Sequence, residues 1–114
     1  MLCYTKVKQV KNVTGFWNVD LSKDAKKQYI KLNRSGDHRK PSIIDLIDAL
    51  VVDLKHHGPV MNGWPNYGVI DKGRNSFYHC HLRKGKPTYV ACWIVINENK
   101  IEVFYVGTHE GAPY

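Results

Sequence analysis

Three strand-like runs crowd the C-terminal part of the chain, at about 75–83 (NSFYHCHLR), 87–96 (PTYVACWIVI) and 100–107 (KIEVFYVG). The connections between them, Lys84-Gly85-Lys86 and Asn97-Glu98-Asn99, are too short to carry a crossover, so neighbouring runs must be antiparallel. A sheet of this kind needs an apolar cover on at least one face, and the upstream sequence supplies one. Residues 16–21 (FWNVDL) alternate as a strand, and Ser22 can then cap a helix whose Leu21, Ala25, Tyr29 and Leu32 fall at helical spacing. Asn33–Lys40 reads as a turn. Pro41 and Ser42 open a second helix, with Asp45 placed as in a capping box. Its core stripe is Ile43, Leu46, Ile47, Leu50 and Leu54, and Gly58-Pro59 ends it. Residues 58–74 are rich in Gly, Pro and Asn and read mostly as loop, while 1–14 suggests an edge strand or an ordered arm. The expected class is α+β: a single domain over 1–114, with two helices on one face of a small antiparallel sheet in the order β-α-α-β-β-β.

Composition narrows the function. A length of 114 residues suits one domain, and 43% hydrophobic with 24% charged residues excludes wholesale disorder. No apolar run approaches the roughly 20 residues that a membrane helix needs. Lys6, Lys8 and Lys11 interrupt any apolar leader, so a cytoplasmic address is expected. Three cysteines, Cys3, Cys80 and Cys92, are an odd count that favours reduced thiols over a disulfide framework. Seventeen Lys and Arg against ten Asp and Glu give a net charge of +7, which favours polyanions and nucleic acid above all.

Alternation places Tyr78, Cys80 and Leu82 on one side of the strand 75–83, with Phe77, His79, His81 and Arg83 on the other. In the next strand Val90, Cys92, Ile94 and Ile96 form the natural core face, so Tyr89, Ala91, Trp93 and Val95 are expected to face away from the helices. The uncovered face would then gather His79, His81 and Arg83, with Tyr89 and Trp93 as stacking rings and Lys84 and Lys86 nearby. Such a surface suits a polyanion with stackable bases. His-x-His on a strand can ligate a metal, transfer protons near neutral pH, or stand as incidental surface histidine. A metal site would need a third ligand: His109 is the only nearby candidate by strand order, no Asp or Glu stands in the strand and Cys80 points the other way, so the metal signal is weak and no cofactor is expected.

The stretch from Tyr78 to Tyr114 resembles the RelE/ParE superfamily of toxins from toxin–antitoxin systems. The resemblance rests on Tyr78 to Arg83 (Tyr-x-x-x-Leu-Arg), the apolar strand Tyr89 to Ile96, Val106-Gly107, a following basic residue at His109, and the late Tyr114. It implies two helices on an antiparallel sheet. In the ribonuclease branch it implies cleavage of mRNA in the ribosomal A site. It also implies that His79 and His81 stand at two lysine positions of that branch, Arg83 at an arginine position, and His109 and Tyr114 at its late basic and tyrosine positions. The branch's second-strand arginine falls on Ala91 and does not carry over.

Cleavage by the RNA's own 2′-hydroxyl needs a base, a cation for the phosphorane and an acid for the 5′-oxygen, and needs no metal. On this likeness His79 or His81 is expected as base and Arg83 as the cation. His109 or Tyr114 is expected as acid, or Tyr114 as a stacking ring, and Lys84, Lys86, Tyr89 and Trp93 are expected as RNA contacts. The implied partners are a cognate antitoxin, the ribosome and mRNA, with no membrane. The rival readings are a gyrase inhibitor of the ParE branch and a non-catalytic RNA- or metal-binding module.

Overall fold

A computed structural model describes residues 16–71, 73 and 76–114; the readings of 1–14 and of Cys3 lie outside them. In chain order the elements are β1 (Asn18–Leu21), α1 (Lys23–Asn33), α2 (Ile43–His57), β2 (Gly68–Ile70), β3 (Phe77–Arg83), β4 (Tyr89–Asn97) and β5 (Lys100–Thr108). Both helices begin where a serine can satisfy an orphan donor. Ser22 Oγ accepts from the Ala25 amide at 3.1 Å, and Ser42 Oγ accepts from the Asp45 amide at 3.0 Å. α2 stops at Gly58, whose φ of 81° suits glycine and whose N–H donates to the Leu54 carbonyl. A Cβ at Gly58 would also come within 3.0 Å of the Trp17 indole nitrogen.

Among the described residues the sheet has five strands in the order β1-β5-β4-β3-β2. The meander β3-β4-β5 is antiparallel, as its short connections require. Two features depart from the expected sheet. β1 joins its edge parallel to β5, with Asn18 opposite Lys100 and Leu21 opposite Val103. The excursion through α1 and α2 leaves room for that return, which a hairpin could not make. Within the expected loop 58–74, β2 pairs antiparallel with β3, Val69 lying opposite Tyr78. Three residues bounded by Gly, Pro and Asn carry too little periodicity to announce a strand.

The helices cover one face. Ile43, Ile47, Leu50 and Leu54 of α2 join Cys80, Ala91, Trp93, Ile101, Val103 and Val106 in one buried cluster. Tyr89 and Trp93 belong to this core, contrary to the expectation that they face away from the helices. Trp93 is fully buried and Tyr89 is 5% exposed. Cross-strand partners share a face. Trp93 lies opposite Tyr78 and Ala91 opposite Cys80, which puts both on the helix side. The Trp93 ring lies nearly parallel to that of Tyr78 at 6.1 Å between centroids, and its indole N–H donates to the Pro59 carbonyl at 3.0 Å. β4 is apolar on both faces, so alternation alone could not choose between them. The loop after α2 decides, because it offers rings and a carbonyl to the larger side chain.

Candidate functional site

Phe77, His79 and His81 project from β3 on the face away from the helices, as alternation requires. That face is not bare. β5 ends at Thr108, and just beyond it the His109 amide donates to the Thr88 carbonyl at 2.8 Å. A tight turn follows, in which the Gly111 amide donates to the Thr108 carbonyl and the Ala112 amide to the His109 carbonyl. The Tyr105 hydroxyl fastens the turn by donating to the Thr108 carbonyl at 2.7 Å. The chain is thereby folded back over the sheet. Tyr114 comes to rest beside His79 at 4.9 Å between centroids, beside His109 at 5.7 Å and beside Phe77 at 6.0 Å. His109 meets His81 edge to face at 5.4 Å.

Four of the expected site residues, His79, His81, His109 and Tyr114, therefore form one cluster. His79 and His81 are half-buried, and desolvation holds both imidazoles below the usual histidine value, with His109 as a second cause. For His81, His79 and Lys84 add to the same direction. Desolvation likewise raises the Tyr114 hydroxyl. The buried Nδ1 atoms of His79 and His81 and the Tyr114 hydroxyl have no hydrogen-bond partner among the described residues. Such unpartnered buried atoms are uncommon in native interiors and call for an explanation.

An open groove of about 700 Å³ lies between the β3–β4 turn and the start of the tail. Its chemistry-bearing walls are His81, Lys86, Thr88, Thr108, His109 and Glu110. Two imidazoles, one ammonium and two hydroxyls surround a space large enough for a nucleotide, and one carboxylate stands at its edge. Among the described residues no three His, Cys, Asp or Glu side chains converge as the ligands of a metal would.

Arg83 is not part of this cluster. The register shifts between His81 and Arg83, so that His81 lies opposite Val90 while Arg83 lies opposite the core residue Tyr89. This β-bulge turns Arg83 to the helix side, where its guanidinium sits 3.9 Å from Asp37 in the α1–α2 connection. Lys84 and Lys86 are exposed on the hairpin. Tyr89 and Trp93, buried in the core, cannot stack on a base. The groove also contains residues that sequence reasoning missed: Thr88, Thr108 and Glu110. The signal for the last two was their place on either side of His109, in a tail that reads as a simple chain end. Asp37 and Arg39, which engage Arg83 and the Tyr89 ring, were hidden in a segment that reads as a turn.

The thiols of Cys80 and Cys92 are free and buried on opposite faces, and burial pushes each up to about 12. Neither is poised as a nucleophile. Comparison with protein-family models, with curated proteins and with solved structures finds no match to this chain.

Proposed function

We propose that the chain is a toxin of the RelE/ParE kind, a ribosome-dependent endoribonuclease that cuts mRNA by attack of a ribose 2′-hydroxyl on the adjacent phosphate. The observation that carries this reading is the edge-to-face pair of His81 and His109 on one side of a groove that also holds Lys86. The element order β-α-α followed by an antiparallel meander, and a tail that returns a late tyrosine to the sheet, agree with the likeness seen in the sequence.

In this reading His81 is the base. Desolvation favours its neutral form at neutral pH, so a ring nitrogen can take the proton of the 2′-hydroxyl. The freed oxygen attacks phosphorus, the bond to the 5′-oxygen breaks, and His109 delivers a proton to that leaving oxygen. The products are a 2′,3′-cyclic phosphate and a 5′-hydroxyl. Lys86 stabilises the charge on the phosphorane in place of Arg83, which faces Asp37. His79 and Tyr114 hold the tail so that His109 faces His81. Base, acid and countercharge all come from side chains, so the reaction calls for no metal. A cognate antitoxin, binding in the cytoplasm, would restrain such a chain.

The test mixes the purified chain with programmed ribosomes and a labelled mRNA, with and without EDTA, and runs DNA gyrase in parallel. Codon-phased cuts that persist in EDTA are expected. Cuts lost on chelation would transfer the chemistry to a metal. Gyrase-dependent double-strand breaks without mRNA cleavage would replace the ribonuclease with the gyrase-inhibiting alternative.

A further inference from the structure

We propose that the cleft between the start of α2 and the end of β3 is a second anion site, which holds a backbone phosphate of a single-stranded RNA running on from the His81–His109 groove. The identity of the polymer rests on the ribonuclease reading; the anion chemistry does not. Arg39, Lys40, Arg83 and Lys84 line this cleft of about 470 Å³ above Leu46 and Leu82, and no carboxylate lines it.

The nearest acid, Asp37, is already committed. Its Oδ1 accepts from the Arg39 amide at 3.0 Å, and both carboxylate oxygens accept from Arg39 Nε at 3.0 Å. Arg39 Nη2 adds a further ion pair. At 3.9 Å, Asp37 is too far from Arg83 Nη1 for a hydrogen bond. The Arg83 side chain is only 9% exposed, and its Nη1 has no acceptor among the described residues. A buried guanidinium with an unmade bond is a poor end state but a ready half of a phosphate clamp. Pro41, which lines the cleft, stands just before Ser42, the N-cap of α2, so the positive end of that helix adds to the attraction.

Continuity points to a polymer. A third cleft, of about 510 Å³, shares Arg39 with the anion site and shares Lys86 and Pro87 with the His81–His109 groove; its one carboxylate, Asp37, is held by Arg39. Cations thus mark a path across the β3–β4 turn from the reacting groups to the start of α2, as a backbone-tracking surface needs.

The experiment measures anisotropy of a short fluorescent 2′-O-methyl RNA, which binds without being cut, across a salt titration. Lys40→Ala combined with Lys84→Ala removes two exposed cations and leaves the core untouched. Binding is expected to weaken roughly tenfold, with a salt slope shallower by about 0.7 for each phosphate that is no longer neutralised. Asp37→Asn removes the competing charge and is expected to tighten binding. Unchanged affinity and slope in the double variant overturn the site. Competition by inorganic phosphate with no effect of the lysines on RNA overturns it in favour of a small anion. If the unmodified chain fails to cut mRNA on ribosomes while the lysine effects persist, the ribonuclease reading falls and the anion site stands.

Discussion

The two faces of the sheet treat polar atoms in opposite ways. On the helix side the buried indole of Trp93 and the half-buried indole of Trp64 are satisfied: Trp93 donates to the Pro59 carbonyl and Trp64 to the Asp53 carboxylate at 2.8 Å. On the tail side His79, His81 and Tyr114 each keep a buried polar atom without a partner among the described residues. Both faces are covered, so exposure does not separate them. What separates them is whether the cover completes the hydrogen bonds, and an incomplete set marks the side on which chemistry can be done. The Arg83 guanidinium is the exception that refines the rule, since its unmade bond lies on the helix side, where the second anion site is placed.

The largest test of this contrast is catalytic. If the chain is the ribonuclease proposed above, His81→Ala and His109→Ala should each lower ribosome-dependent cleavage by about 10²–10⁴-fold while the melting temperature holds, read from initial rates and thermal unfolding. Loss of folding in either variant would erase the distinction between the faces. On the other side Trp93→Ala should cost about 3–5 kcal/mol, seen as a lower urea midpoint, because it opens a cavity and strands the Pro59 carbonyl.

A finer test compares the covers themselves. Cys80 lies under the helices and Cys92 under the tail side, yet both thiols are pushed up to about 12, so iodoacetamide at mildly alkaline pH should spare both in the native protein. Peptide mapping by mass spectrometry reads each site. Faster labelling of Cys92 would show that the tail opens while the helices stay closed.

The smallest effect concerns pH. His79 and His81 bind protons less readily when folded, so the unfolded chain holds more protons in mild acid, and stability rises with pH there. Stability should be full above the ordinary histidine value of about 6.5, fall as pH drops below it, and level off below the lowered folded values. Chemical unfolding at a series of pH values should show this, and His79→Gln should flatten part of the slope.

Much of the scaffold was legible because its signals are local. Ser22, Ser42 and Gly58 mark the helix ends by cap chemistry, and the two short connections dictate an antiparallel meander. The histidine face was legible in β3, where apolar and polar residues alternate. It failed in β4, whose residues are apolar on both sides, so Tyr89 and Trp93 went to the wrong face. It failed again at Arg83, because one bulged residue inverts everything beyond it and leaves no mark in composition. Strand order pointed to His109 as a neighbour of the pair, whereas the convergence of Tyr114 on the cluster was suggested only by likeness. The turn that delivers them depends on Tyr105 reaching the Thr108 carbonyl, a link between two residues near the end of one strand.

The parallel pairing of β1 with β5 has a consequence for how the protein comes into being. Asn18 leaves the ribosome 82 positions ahead of its partner Lys100. At about 5–20 residues per second it must wait several seconds for the strand that fixes it. His109 is made later still. If the chain is the ribonuclease proposed above, a nascent copy would be unable to cut mRNA until His109, its proposed proton donor, has been translated.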